Sequence, residues 1–296
     1  MGVVVPAPPL RAPRYGLLVT AGVTPAEAGM DPHWGLSDGV TWTPERIGGG
    51  TRKALDCLGA VASIGAGDRV LGAVNAEPFV VATKDLCSTF GFAVSDLPRR
   101  VRDRLAAIAS YEVAAELWSG SIISDTQRTL TSLLSDRVTT SAVTASEALA
   151  LLDQALAVGT KGQRGMVHCT PQVLDALVVN GAVRREGNLW LSPMDTVVVA
   201  DGGYAGTGPG GLPVTSTQYV YATNMLRVVV GPTITLPTGI DAGGPDAAPD
   251  AWAQAVSIDN NDLEVAAMAP YLVQWDAQAH YAAEVNLALP ALGGAS

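Results

Sequence analysis

The sequence predicts an α+β fold, and three observations carry the prediction. Three segments in the middle of the chain repeat apolar residues at three- and four-residue steps, with helix-capping residues ahead of them. Beyond residue 196 the apolar runs become short, rich in Val, Tyr and Thr, and bounded by Gly, Pro, Asn or Asp. The chain has 296 residues, 48% hydrophobic and only 16% charged, which suits a sizeable core and excludes a disordered chain.

Taken in order, Met1 to Pro13 is proline-rich and aperiodic and reads as an extended arm. Tyr15 to Val23 has the apolar content of a strand. Gly35 to Gly50 places β-formers between Gly-rich ends and reads as a hairpin or a long loop. Glu77 to Thr83 is a predicted strand. The first helix follows: Leu97, Val101, Leu105, Ile108, Tyr111, Ala115 and Trp118 make one apolar stripe, and Arg99, Arg100, Asp103 and Arg104 lie mostly off it. Asp96 is its expected N-cap, Pro98 sits in its first turn, and it ends near Gly120. In the second helix Thr144 and Glu147 form a capping box, Leu149, Leu152 and Leu156 face inward, and Gly159 marks the stop. A short apolar run, Gly165 to Cys169, separates it from the third helix. Thr170 caps that helix and Pro171 opens it. Val173, Leu174, Leu177 and Val178 are expected inside, and Asn180-Gly181 closes it. Strands are predicted at 196–201, 218–223 and 226–237. Gly202 to Pro213 reads as a flexible loop and Thr238 to Asp250 as a linker-like one. The final stretch reads as two more strands, or a strand and a short helix.

Chemistry is sparse. His168 and Cys169 are adjacent, which raises the question of a nucleophile beside its base. On a strand, neighbouring side chains point to opposite faces, so the pair is expected to be a packed thiol and a hydrogen-bonded imidazole. Gly35 to Gly39 matches the G-x-S-x-G pattern around Ser37, but neither a strand before it nor a helix after it is predicted. His280 could complete a Ser-Asp-His order only by chance. A hydrolase using Ser37 or Cys169 is therefore a remote alternative. His33, His168 and His280 are isolated, and Asp259 to Glu264 lacks the spacing of a calcium loop. The Gly-rich run at 202–211 has no Lys-Ser or Lys-Thr after it. No catalytic residue, cofactor or metal is predicted. The net charge of −10 argues against nucleic acid as the primary ligand, and the one dense basic run, Arg99 to Arg104, reads as a solvated helix face. Three widely spaced cysteines, Cys57, Cys87 and Cys169, form no disulfide framework. No apolar run approaches the length of a membrane span.

The order of these elements resembles the major capsid proteins of tailed bacteriophages, the Hong Kong 97-like fold shared with encapsulins. The phrases that carry it are "EPFVVATKDLCSTF" with the long helix ending "AAELWSG", then "VTASEALALLDQAL" with "GMVHCTPQVLDAL", then "GNLWLSPMDTVVVAD", "QYVYATNMLRVVVGP" and "HYAAEVNLAL". The resemblance implies an N-terminal arm at 1–34 and an extended loop at 35–55. It implies a peripheral domain at 56–140 with its spine helix at 96–119, and an axial domain at 141–217. The return strands of the peripheral domain would occupy 218–296, with a loop at 238–250. The implied function is that of a structural protein that self-assembles into hexamers and pentamers of an icosahedral virion capsid enclosing the phage genome. A vertex protein or an encapsulin-like compartment shell is the alternative. Implied partners are other copies of the chain, a separate scaffold if any, a portal and decoration proteins. Packaged DNA would be touched only weakly or locally, and assembly would take place in the host cytoplasm. Inter-subunit contacts are expected at Trp34, Trp42, Glu45, Arg46, Arg52 and Tyr204.

Overall fold

The computed structural model describes residues 13–25, 40–42, 74–76, 78–88, 97–120, 129–133, 135–214, 216–238, 256–257, 262–275 and 279–287. A single helical turn, α1 (Leu17–Thr20), leads into β1 (Val23–Pro25). The short strands β2 (Val40–Trp42) and β3 (Val74–Ala76) pair antiparallel with each other. Then come β4 (Phe79–Ser88) and the long helix α2 (Leu97–Ser119). The two-residue β5 (Asp136–Arg137) precedes α3 (Ala145–Gly159), β6 (Gly165–Cys169) and α4 (Pro171–Val179). A hairpin of β7 (Arg184–Glu186) and β8 (Leu189–Leu191) leads to β9 (Val197–Ala200). The remaining strands are β10 (Thr217–Asn224), β11 (Arg227–Val230), β12 (Ile234–Thr238), β13 (Val256–Ser257), β14 (Asp262–Gln274) and β15 (His280–Asn286).

These strands make two main sheets. Sheet I is built around β14, which pairs antiparallel with β4, β11, β12 and β13, and β1 lies parallel on β11. Sheet II has the order β5-β15-β10-β6-β9-β8-β7. Within it β6 and β9 are parallel, so the chain between them must cross over, and α4 supplies the helical part of that crossover. Helix α2, about 35 Å long at 1.5 Å per residue, lays Val101, Leu105, Ala109 and Val113 into one core with sheet I. Its last turn inserts Trp118, fully buried, toward sheet II. Helices α3 and α4 cover the opposite face of sheet II and enclose a second core with Leu149, Leu152, Leu156, Val173 and Leu177.

Thr144 and Thr170 cap their helices as the sequence predicts, and Asp96, the expected cap of α2, lies outside the described residues. Thr144 Oγ1 accepts from the Glu147 amide at 3.3 Å, and Thr170 Oγ1 accepts from the Val173 amide at 3.4 Å. Several expectations are corrected. Tyr15 to Val23 is not a strand, because Leu17–Thr20 turn helically and only Val23–Pro25 extend. Tyr111 is 51% exposed, because the buried arc of α2 runs through Ala109, Ser110, Val113, Ala114 and Leu117. Val178 is exposed as well, and Val173 and Leu177 carry the inward face of α4. Gly159 ends α3, but the left-handed residues lie beyond it, at Lys161 and Gly162. A side chain at 159 would collide with the Tyr281 hydroxyl, so close packing also demands glycine there. From residue 218 onward the strands are divided between the two sheets. Strands β10 and β15 join β6 and β9 in sheet II, and β11 to β14 join β4 in sheet I.

Candidate functional site

Strand β6 settles the first chemical question. Met166 belongs to the core shared with α2, and Val167 and Cys169 belong to the core under α3 and α4. His168 turns the other way from Cys169, with Nδ1 at 2.9 Å from the Tyr204 hydroxyl and Nε2 at 3.0 Å from Thr223 Oγ1. Both ring nitrogens are occupied and the side chain is fully buried. Burial first, and then the neighbouring His280, lower its pKa to about 3. Burial raises the Cys169 thiol to about 12, against a smaller opposing effect of a backbone hydrogen bond at Leu174. A neutral thiol and a neutral imidazole on opposite faces of a strand cannot act as nucleophile and base.

Around His168 the residues form an aromatic seam. Trp118 lies 4.9 Å edge-on from Tyr221 and 5.0 Å from Tyr204, ring centre to ring centre. His280 packs at 5.1 Å against Trp275 and 5.7 Å from Tyr221. The Trp118 indole N–H donates to Thr207 Oγ1 at 2.9 Å, and the Tyr221 hydroxyl donates to the Thr207 carbonyl at 3.0 Å. The Gly-rich 202–213 segment, expected as a flexible loop, is therefore tied down over this seam. A side chain at Gly203 would run into the Tyr111 carbonyl, so the loop backbone lies directly on α2. Tyr204 is only 3% exposed, inside its own subunit, which corrects its expected role as an inter-subunit contact.

Beside the loop, the buried Asp201 holds three elements together. One carboxylate oxygen accepts from the Leu17 amide and the Ser110 hydroxyl, each at 2.8 Å, and the other accepts from the Gly203 amide at 3.0 Å. The N-terminal turn, the middle of α2 and the end of β9 meet there.

Of the other expected contact residues, Trp34, Glu45, Arg46 and Arg52 lie outside the described residues, as do Ser37 and His33. Trp42 is on β2, whose backbone pairs it with Val74, a partner beyond the 35–55 segment. The basic run on α2 is partly neutralised within the subunit. Arg100 and Arg104 approach Asp85 at 3.2 and 3.4 Å, and Arg104 donates to the Lys84 carbonyl. Among the described residues no group of three or more His, Cys, Asp and Glu could hold a metal ion, and no helix is long and apolar enough to cross a membrane.

The surface holds features that the sequence reading missed. Leu133 is 82% exposed and Leu212 is 60% exposed. On the α3 side an apolar groove of about 450 Å³ is lined by Leu149, Ala150, Ala157, Ala182 and Met194. Ser146 and Asp153 also line it, and the buried Ser146 Oγ and Asp153 Oδ1 have no hydrogen-bond partner among the described residues. A charged residue inside the Leu149, Leu152, Leu156 stripe was the available signal for the groove. Nothing local marks Leu133 as exposed.

No family model matches the sequence, and no curated protein matches it. Solved structures do. The holo-SrpI encapsulin complex from Synechococcus elongatus contains a chain that superposes with a TM-score of 0.56 at 11% identity, over 98% of this chain and 94% of that one. A protein of Mycobacterium phage Ogopogo gives 0.52 at 14% identity, over 96% of each chain. The capsid of an empty GTA particle gives 0.51 at 12% identity, over 97% of this chain and 95% of that one. The chain has the Hong Kong 97-like fold of capsids and encapsulins, as its order of elements predicts.

Proposed function

We propose that this chain is a structural shell protein, not an enzyme, and that it self-assembles into the icosahedral capsid around a tailed-phage genome. The observation that carries the reading is coverage. The likeness to an encapsulin chain and to a GTA capsid chain runs over nearly the full length of both partners. The subunit supports this in its own residues. His168 and Cys169 are spent on packing, and the loops carry exposed apolar side chains such as Leu133 and Leu212. A shell works through modest contacts repeated by symmetry. Self-association into hexamers and pentamers, within a virion put together in the host cytoplasm, belongs to this proposal. So does weak, local contact with DNA, which agrees with a net charge of −10 and with a basic run partly spent on Asp85.

The encapsulin chain supports a second reading, a compartment shell that encloses protein instead of a genome. Electron microscopy of the purified protein tests both. Closed shells, hexamers or pentamers are the expected result, and a stable monomer at all concentrations overturns both readings. Nuclease-protected DNA inside particles from infected or lysogenic cells selects the phage capsid. Particles without nucleic acid select the compartment.

A further inference from the structure

The two buried histidines of sheet II are tied to two different loops. Thr223 spends its hydroxyl proton on the Asn224 carbonyl at 2.8 Å, so it can only accept from His168 Nε2. His168 Nδ1 is then the bare nitrogen of a neutral ring, and the Tyr204 hydroxyl donates to it. One polarised chain of hydrogen bonds therefore runs from the 202–213 loop through His168 into β10. At His280 burial lowers the pKa, and a hydrogen bond with the Leu130 backbone opposes that effect. A bond that favours the charged ring is one the ring donates, so the Leu130 carbonyl accepts. Nε2 has no partner among the described residues, which assigns that donation to Nδ1. The two loops are themselves joined, because the Gly210 amide donates to the Thr131 carbonyl at 2.6 Å.

We propose that His168 and His280 form an acid-operated latch, whose protonation frees the 129–133 and 202–213 segments together while sheet II stays paired. Protonated His168 carries a hydrogen on Nδ1, so the Tyr204 hydroxyl that donated to that nitrogen meets another donor. Protonated His280 carries a second hydrogen on Nε2, where no acceptor waits among the described residues. Neither charge is offset by its surroundings. The groups around the rings are Tyr204 from the loop, Thr223 and Tyr221 from β10, Trp275 just beyond β14, and the other ring. Helix α2 brings Trp118 to the seam. Asp201 and Cys169 act on Tyr204, and the Asp201 carboxylate is already held by Leu17, Ser110 and Gly203. Water is the remaining source of solvation for a charged ring. Each ring is anchored to a loop, so lifting the loops hydrates both rings without unpairing β6, β10 or β15. The joint at Gly210 makes the two loops move as one. The latch belongs to the single subunit and does not depend on the shell reading.

The test is native-state hydrogen exchange of the full chain between about pH 7 and pH 5, above the ordinary range of carboxylates. Rates are corrected for the pH dependence of the chemical exchange step. The amides of Leu130, Thr131 and Gly210 are expected to open more readily than those of Val220 and Tyr221 in β10. Below the ordinary histidine pKa of 6.5 their opening should rise in step, by about tenfold or more per pH unit, since the opened rings bind protons that the closed rings refuse. Opening that is flat with pH, or that occurs only together with β10, overturns the latch. The double variant His168→Gln, His280→Asn keeps neutral hydrogen-bonding groups at both positions and cannot titrate, so the rise should vanish. A rise that persists overturns the latch as well. Where that variant does not fold, the imidazole NMR signals of the wild-type chain decide. Both rings neutral in the closed form at pH 5 support the latch, and a ring that titrates near 6.5 in the folded protein overturns it.

Discussion

The two faces of sheet II are made by alternate residues of the same strands, and they are chemically unlike. Toward α3 and α4 the buried face is mostly aliphatic and small, made of Val167, Cys169, Val198, Ala200, Val220, Ala222, Ala283 and Val285, with Tyr281 and Trp190 partly buried against it. Toward α2 and the 202–213 loop it carries Tyr219, Tyr221, His168 and His280, and Trp118 comes in from α2. The aliphatic face holds chiefly by volume. The aromatic face holds by volume and by a chain of hydrogen bonds through Thr207, Tyr204 and Thr223. A sheet with period two can thus serve as a plain packing surface on one side and as a polar seam on the other.

The comparison breaks most visibly at Trp118. Trp118→Ala is expected to cost about 3–5 kcal/mol, by the range for large buried aromatics, and to release the loop by losing the bond to Thr207. Leu152→Ala, at the centre of the aliphatic side, is expected to cost a similar 2–5 kcal/mol or so but to leave the loop protected. Denaturant unfolding combined with hydrogen exchange at 203–208 separates the two, and equal loop exchange in both variants would show that the faces are not independent.

Acid sharpens the contrast next. The folded-state pKa of His168 is lowered to about 3 and that of His280 to about 4, in each case by burial first, from an ordinary 6.5. The unfolded chain therefore binds protons that the folded chain refuses. The stabilisation is fully present above pH 6.5 and is lost as pH falls toward 4 and then 3. At its steepest, each imidazole contributes roughly 1.4 kcal/mol per pH unit. His280 Nε2 has no hydrogen-bond partner among the described residues, so His280→Phe should largely keep the packing and flatten the acid slope. An unchanged slope of unfolding free energy against pH would place the titration elsewhere.

At Asp201 the seam meets the N-terminal turn. Asp201→Ala strands the Leu17 and Gly203 amides and the Ser110 hydroxyl, and is expected to cost about 2–3 kcal/mol, with exchange at Leu17 accelerating most. Slow exchange at Leu17 in that variant would mean that packing alone holds α1. The smallest effect is expected at Cys169, a buried filler on the aliphatic side. Cys169→Ala should cost about 1 kcal/mol, and the native thiol should resist iodoacetamide until the protein unfolds. Fast alkylation of the folded chain at Cys169 would contradict a pKa near 12.

Much of this was legible from the residues in order. The stripe from Leu97 to Trp118 located α2, the Thr144 and Thr170 caps located the starts of α3 and α4, and alternation along β6 separated His168 from Cys169. Tyr111 and Val178 were misjudged because a helix's apolar stripe shows only a direction, and the partner decides how wide the buried arc becomes. The contact surface was the least legible part. Leu133 is one leucine in an ordinary run, and its exposure follows from where Gly210 anchors the loop beside it.

By itself the sequence determined what depends on neighbours along the chain: helix starts and stops, strand alternation, the neutral and buried character of His168 and Cys169, and the order of elements that marks the fold. Tertiary structure alone decided which strands share a sheet, that Tyr204 lies inside its own subunit, and that one carboxylate at Asp201 gathers Leu17 and Ser110. The reason is sequence separation. Leu17 and Asp201 are 184 residues apart, and no local period encodes a partner at that distance; only the closing of the two cores brings them together.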